Sequence, residues 1–144
     1  MVTYRWIVPE RISPEDAEDI NALLCQLTDS PRRIDLADIR EIAEKSLWLV
    51  ARNEQGRIKG MATLTISRIP TGSVGHLDDI VVDVSLRGQH IGEGLVKRMI
   101  ECVRIESKAD RIELTCKPGR IEANGLYAKL GFQKRETNCY MLKI

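Results

Sequence analysis

Apolar residues recur along this chain at two different spacings, and the switch between them marks the predicted elements. Residues 3–8 are rich in aromatic and β-branched side chains, which is typical of a strand. Two helices should follow, because apolar residues then return every three or four positions. The first starts at Ser13, an N-cap residue placed before Pro14, and should end near residues 29–31. The second covers residues 35–45.

After the second helix the pattern becomes that of strands. Strands are predicted over residues 47–51, 57–69 and 74–82. Turns should separate them at Asn53–Gly56 and at Pro70–Ser73, where glycine, proline and small polar residues cluster. The first part of the chain is therefore predicted as one strand, two helices and a three-stranded antiparallel meander.

The remaining residues return to mixed periodicity. The prediction is a helix from about His90 to Ser107, a strand at 111–116, a helix at 121–130 closed by Gly131, and strands at 132–136 and 139–144. The sequence contains no internal repeat, low-complexity tract or linker. Residues 1–144 are therefore expected to form a single α/β domain.

Composition and charge exclude several classes of function. The chain is 43% hydrophobic and 30% charged with a formal net charge of +1, which argues against a broad surface for nucleic acid or for anionic membranes. No apolar stretch approaches membrane-spanning length and no signal sequence is visible, so a cytoplasmic protein is expected. The cysteines lack metal-site spacing and only two histidines are present, so no metal site is expected: Cys25, Cys102, Cys116, Cys139.

A glycine-rich segment between a predicted strand and a predicted helix is the strongest chemical signal. This glycine loop, Arg87–Gly94, presents unpaired backbone N–H groups at a helix N-terminus, where the helix dipole also favours an anion. Its glycines at 88, 92 and 94 should let the backbone approach a phosphate or pyrophosphate closely. The spacing fits neither the P-loop nor the Rossmann fingerprint.

The spacing that does match is Gln89-x-x-Gly92-x-Gly94, which resembles the Gln/Arg-x-x-Gly-x-Gly/Ala signature of the GNAT superfamily of N-acetyltransferases. The run Asn124–Phe132 is similar to a second motif of that superfamily. The resemblance implies an α/β GNAT fold, with a mixed, mostly antiparallel sheet of six to seven strands flanked by about four helices. It also implies acetyl-coenzyme A as the acetyl donor.

The resemblance assigns roles to residues of both motifs. Tyr127 alone could be a core aromatic, but it lies three residues from Asn124 and so shares a helix face with it. In the resembled family a tyrosine here protonates the leaving thiolate, and the asparagine contacts the cofactor. The implied cofactor-binding residues are Val81, Val82, Arg87, Gly88, Gln89, His90, Ile91, Gly92, Gly94, Asn124 and Tyr127.

A general base is needed as well, since a protonated amine cannot attack a thioester. The strand before the glycine loop offers Asp78 and Asp79, which alternation places on opposite faces. The run Gly75–Val82 resembles the glucosamine-6-phosphate acetyltransferase branch, in which an acidic residue aligns with Asp78. Asp78 is therefore preferred and Asp79 comes second. A purely structural salt bridge to a neighbouring arginine is an equal alternative for either carboxylate.

The implied reaction is direct acetyl transfer in a ternary complex. Strands 74–82 and 111–116 should splay apart near Val81 and Val82, so that a backbone N–H around Val82 can bind the thioester carbonyl. The acceptor is left open between a small-molecule amine, such as an amino sugar, and a protein amine, with specificity expected from residues 28–46 and 68–73. A homodimer also stays open. The alternative function is a non-catalytic acyl-CoA-binding sensor of the same fold.

Overall fold

The computed structural model describes residues 1–144, the whole of the printed sequence. It contains five strands, which are β1 (Thr3–Trp6), β2 (Leu47–Arg52), β3 (Ile58–Ile69), β4 (Gly72–Val82) and β5 (Arg111–Glu113). Its four α-helices are α1 (Pro14–Leu27), α2 (Leu36–Lys45), α3 (Ile91–Ile105) and α4 (Ile121–Lys129). Single 3₁₀ turns lie at Pro9–Arg11 and Val84–Leu86.

The strands form one sheet in the order β1-β2-β3-β4-β5, and helices cover both of its faces. Neighbouring strands are antiparallel except for β4 and β5, which are parallel. Helices α1 and α2 bury Ile20, Leu23 and Ile39 against one face, whereas α3 buries Leu95 and Met99 against the other. Each of these five side chains is at most 1% exposed. The sheet is thus the middle of three layers, which agrees with the sheet flanked by about four helices that the resemblance implied.

Local capping explains where the helices begin and end. Ser13 and Asp16 form a reciprocal capping box at the start of α1, which confirms Ser13 as the N-cap. Gly131 has a φ of 94° just after α4, which confirms it as the C-terminal glycine. The N–H of Phe132 donates to the carbonyl of Tyr127 across this turn, so Phe132 folds back onto the helix.

The N-terminal half of α1 is fixed to the turn between β2 and β3 by two ion pairs. Asp16 Oδ1 accepts from Arg52 Nη1 at 2.7 Å. Asp19 accepts from the Arg57 guanidinium through both carboxylate oxygens, and its Oδ2 also accepts from the Ile58 N–H at 2.9 Å. These contacts hold α1 on the sheet independently of its C-terminal end.

The predicted C-terminal strands and the strand count of six to seven are wrong for this structure. The segments 132–136 and 139–144 form no strand, and β5 ends at Glu113 rather than at 116. A strand needs a neighbour for its backbone N–H and C=O groups, and β5 pairs with β4 over only three residues. The tail 133–144 has no such neighbour and is exposed along its length. No helix combines the length and hydropathy needed to span a lipid bilayer.

Candidate functional site

The main cleft opens where β4 and β5 part, and has a volume of about 1070 Å³. Its walls come from the end of β4, the glycine loop, the first turn of α3, residues 115–117 after β5, and α4. Gln26 and Leu27 at the end of α1 close one side. A concave site of this size accommodates a ligand larger than a simple metabolite.

The divergence of the two strands leaves part of the β4 backbone free. Pairing with β5 stops at His76, so the strand beyond it bonds only to β3. The Asp83 N–H donates to the Lys59 carbonyl at 2.8 Å, which makes the adjacent Gly60–Val82 pair the non-hydrogen-bonded kind. The Val82 N–H and C=O therefore point away from β3. The Val82 carbonyl accepts from Arg87 Nε at 3.2 Å on that side, and its N–H faces the main cleft.

The glycine loop has the properties of an anion site. The first backbone bond of α3 runs from the Gly94 N–H to the His90 carbonyl, and the N–H groups of residues 87–93 donate to no protein acceptor. No side chain caps the helix. Gly88 and His90 both have left-handed backbone, with φ of 78° and 61°, which turns successive N–H groups toward one side. These amides suit the pyrophosphate of a nucleotide cofactor.

Charged side chains around the loop are partly neutralised by Glu93, a cleft residue in the first turn of α3. Hydrogen bonds from Lys97 and Lys129 lower the pKa of Glu93 to about 2, so it stays ionised at neutral pH. Lys129 Nζ lies 3.0 Å from Glu93 Oε1 and thereby ties α4 to α3. Arg87 and Arg120 also line the cleft and leave it a net cationic wall.

Two residues of the signature, Gln89 and Gly94, do not line the main cleft. At Gly94, a Cβ would clash with the Tyr4 hydroxyl oxygen. Its missing side chain makes room for the Tyr4 ring, which also stacks under Arg98 at 3.8 Å. Gln89 lines a separate groove of about 550 Å³ with Tyr4. The expectation that Gly94 admits an anion does not match this geometry.

Gly94→Ala should therefore destabilise the fold. The new methyl group would force Tyr4 out of its position, and overpacking of this kind costs about 1–3 kcal/mol of unfolding free energy. Urea unfolding of Gly94→Ala, Tyr4→Ala and the double variant measures this. The double variant should lose less than the sum of the single losses, since the clash requires both side chains. Full stability of Gly94→Ala would contradict the assignment.

Tyr127 lies in α4, where it belongs to the core cluster and also lines the main cleft. The residue is 8% exposed and packs edge to face on Phe132, with 5.7 Å between ring centroids. Burial, and to a smaller extent the nearby Cys116 thiol group, raise the pKa of Tyr127, so the phenol keeps its proton at neutral pH. A protonated hydroxyl in a cleft wall is a ready proton donor.

Asn124 is one turn before Tyr127 but is used differently. Its Nδ2 donates to the carbonyls of Lys117 at 3.0 Å and Arg120 at 2.8 Å, so it fixes the loop that precedes α4. It is absent from the cleft wall, which Ala123 and Gly125 line instead. Direct contact of Asn124 with a cofactor stays a prediction.

Asp78 and Asp79 lie at a β-bulge just before the cleft-lining part of β4. The register with β3 shifts between Met61 and Thr63, and Asp79 has left-handed backbone with φ of 50°. Partial burial, followed by the negative charge of Asp78, raises the pKa of Asp79. Neither carboxylate forms an ion pair, so the salt-bridge alternative is not observed.

The bulge also corrects the predicted alternation along β4. Leu77 and Ile80 pack against the same cluster although they are three residues apart, and Val81 packs against the other. An extra residue in one strand shifts the phase of every side chain after it. A single unusual backbone conformation in a run of ordinary strand residues gives no warning in the sequence.

Sequence reasoning also missed several polar residues of the cleft, among them Gln26 and Glu93. Glu93 lies between two motif glycines, and its i+4 spacing to Lys97 could have indicated the ion pair. Gln26 gave no signal, because a polar residue in the last turn of an amphipathic helix is ordinary. The structure brings no group of three His, Cys, Asp or Glu side chains together that could hold a metal ion.

The chain is similar to proteins of known families along most of its length. Residues 11–132 match the Acetyltransferase (GNAT) family. A glucosamine 6-phosphate N-acetyltransferase 1 of Oryza sativa subsp. japonica is 32% identical over 139 residues, covering 87% of this chain and 82% of that protein. A glucosamine 6-phosphate N-acetyltransferase of Trypanosoma brucei brucei is 31% identical over 122 residues, covering 79% and 80%.

Solved structures agree with this assignment. The crystal structure of a Trypanosoma brucei acetyltransferase superposes with a TM-score of 0.80 at 26% identity, covering 99% of this chain and 100% of that one. Glucosamine-6-phosphate N-acetyltransferase from Arabidopsis thaliana shares the fold with a TM-score of 0.81 at 20% identity, covering 99% and 98%. With the glycine loop at the end of β4 and the family match over residues 11–132, this chain belongs to the GNAT family of acetyltransferases.

Proposed function

We propose that this protein transfers the acetyl group of acetyl-CoA to a primary amine within a ternary complex, and that the main cleft binds the donor. Proteins of the GNAT family use acetyl-CoA as acetyl donor. The observation that carries the proposal is that the glycine loop with its unpaired N–H groups and Tyr127 line the same cleft. The first suits the pyrophosphate, and the second suits the sulfur end of the same molecule.

Three groups of the chain would carry the chemistry. The Val82 N–H would donate to the thioester carbonyl oxygen and stabilise negative charge on it as the amine attacks. Asp79 or Asp78, directly or through water, would take the proton of the amine. Tyr127 would donate its proton to the sulfur as the C–S bond breaks and the C–N bond forms. The raised pKa and the strained backbone of Asp79 favour it over Asp78, which the sequence preferred.

For the acceptor we propose an amino sugar phosphate, with glucosamine 6-phosphate as the compound to test. Relatives at 31% and 32% identity carry that substrate in their names. A protein amine is the other acceptor that the sequence left open, and it serves as the competing arm of the test.

The experiment is a thiol-release assay with acetyl-CoA and a panel of amines that includes glucosamine 6-phosphate, glucosamine and lysine-containing peptides. We expect thiol release that depends on the amine and saturates with glucosamine 6-phosphate at the lowest concentration. Release that saturates only with peptides would replace the sugar acceptor by a protein amine. Tight acetyl-CoA binding without release for any amine would favour the non-catalytic sensor.

The pH dependence of kcat/KM separates the two carboxylates. A base acts only when deprotonated, so activity should rise with pH through the raised pKa of the base. If Asp79 is the base, Asp79→Asn should remove most of the activity, whereas Asp78→Asn should shift the acidic limb to lower pH. The shift follows because the Asp78 charge contributes to the raised pKa of Asp79. An unaltered limb in Asp78→Asn, with full activity in Asp79→Asn, would exclude Asp79.

A further inference from the structure

The last turn of α1 contacts the segment that leads into the glycine loop through one side chain. Gln26 Nε2 donates to Asp83 Oδ2 at 3.0 Å, and Gln26 Oε1 accepts from the Val84 N–H at 2.8 Å. Both ends of the carboxamide are therefore used, in opposite senses, on two consecutive residues. Such a pair of bonds fixes position and orientation together.

Asp83, which accepts from Gln26, also forms hydrogen bonds with two other parts of the fold. Its Oδ1 accepts from the N–H of Ser85 at 3.0 Å and from the Ser85 hydroxyl, and its own N–H bonds to Lys59 on β3. The Ser85 hydroxyl and then the Gln26 amide lower the pKa of Asp83 to about 2. Asp83 is thus a permanent acceptor at neutral pH, and it joins α1, β3 and the 3₁₀ turn Val84–Leu86.

The contact of Gln26 with Asp83 and Val84 is one of several that hold α1 on the sheet, but one of few that hold the glycine loop. The first half of α1 already has the ion pairs of Asp16 and Asp19 and the buried Ile20 and Leu23. The glycine loop, which starts one residue after the 3₁₀ turn, donates none of its N–H groups from 87 to 93 to the protein. The start of the glycine loop is held by the hydrogen bond between the Val84 N–H and Gln26 on one side. On the other side it is held by one hydrogen bond from Arg87 Nε to the Val82 carbonyl.

We infer that Gln26 is a positioning residue that sets the entry of the glycine loop from the end of α1, so that the loop amides are pre-arranged for the cofactor. This rests on the proposed function, because it presumes that those amides bind acetyl-CoA. It also links the two substrates, since α1 continues into residues 28–35, where acceptor specificity is expected. Gln26 would act through Asp83 and Val84 and need not touch reacting atoms.

The first test compares Gln26→Ala with Gln133→Ala, a glutamine-to-alanine change in the exposed tail. Two hydrogen bonds lost from a pre-arranged loop should raise the acetyl-CoA Kd on the order of tenfold by calorimetry. KM for acetyl-CoA should rise likewise, with kcat nearly constant and the melting temperature close to wild type. An unchanged acetyl-CoA Kd in Gln26→Ala would overturn the inference. So would a melting temperature lowered enough for partial unfolding to explain the weaker binding.

Gln26→Glu supplies a pH readout that a merely structural role would not give. The new side chain keeps the shape of glutamine but places a carboxylate against ionised Asp83, with Lys59 as the cation that acts on this aspartate. At high pH the two carboxylates repel and binding should be weaker than in Gln26→Ala. As pH falls the new carboxyl gains a proton, can donate to Asp83 again, and affinity should approach that of wild type at the same pH. If the ratio of the acetyl-CoA affinities of Gln26→Glu and wild type did not change with pH, the inference would be contradicted.

Hydrogen exchange measured without acetyl-CoA tests the role of Gln26 independently of whether the protein binds acetyl-CoA. In Gln26→Ala the amides of residues 84–86, which donate to Gln26 or Asp83, should exchange several-fold faster, while those of α1 around Ile20 keep their wild-type protection. Failure of the wild-type protein to bind acetyl-CoA would overturn the proposed function alone. Unchanged exchange over residues 84–86 would overturn the role of Gln26 whether or not acetyl-CoA binds.

Discussion

Tyr127→Phe should lower kcat by about two orders of magnitude, the usual contribution of one general acid. The ring of phenylalanine keeps the edge-to-face contact with Phe132, so the 8% exposed side chain loses only its hydroxyl. The acetyl-CoA Kd should change little, because the pyrophosphate amides lie on the glycine loop and not on α4. Steady-state kinetics with calorimetry on the same preparation measures both quantities.

Tyr140→Phe is the matched control. Tyr140 lies in the tail and is 88% exposed, so the same chemical change should leave kcat unaltered. A Tyr127→Phe enzyme with wild-type kcat would remove the acid role and leave the departing thiolate to water. Equal losses of kcat and of acetyl-CoA affinity would instead indicate that Tyr127 is needed to bind the donor.

Gly92→Glu should weaken acetyl-CoA binding by about 100-fold or more. Gly92 lines the main cleft in the first turn of α3, and a Cβ there would lie 3.7 Å from Val82 Cγ2. The substitution adds a second carboxylate beside Glu93 at the place proposed for a pyrophosphate. Repulsion between close charges at a protein surface amounts to several kcal/mol, which corresponds to a loss of that size.

Two other substitutions of Gly92 separate the effect of side-chain size on acetyl-CoA binding from the effect of charge. Gly92→Ala should fold at least as well as wild type, because its methyl group makes only an ordinary contact and alanine favours helix by about 1 kcal/mol. Gly92→Gln has the bulk of glutamate without the charge and should lose much less affinity. Acetyl-CoA affinity retained in Gly92→Glu would place the pyrophosphate elsewhere.

The elements of the fold could be predicted wherever a short-range signal fixes them. Ser13 and Gly131 are a helix cap and a helix stop whose chemistry acts over three or four residues, and both are confirmed. The predicted strands at 132–136 and 139–144 failed for the opposite reason. Alternation shows that a segment can form a strand, but a strand also requires a partner edge, which periodicity cannot supply.

The site divides in the same way. A glycine-rich turn before a helix leaves the first amides of that helix unpaired, so the run of unpaired amides in the glycine loop was predictable. The use of Gly94 depends on Tyr4, ninety residues earlier in the chain, and the placement of Asp79 depends on a bulge that pairing with β3 creates. Gln26 and Asp83 are likewise joined only by the packing of α1 beside β4. Contacts between distant segments need the folded structure.

Hydrogen exchange of the wild-type protein with and without acetyl-CoA shows whether the main cleft binds the donor. We expect slower exchange of the amides over residues 87–93 and over the start of α4, with the tail 133–144 unchanged. Binding detected by calorimetry without slower exchange over residues 87–93 would contradict binding of the donor in the main cleft.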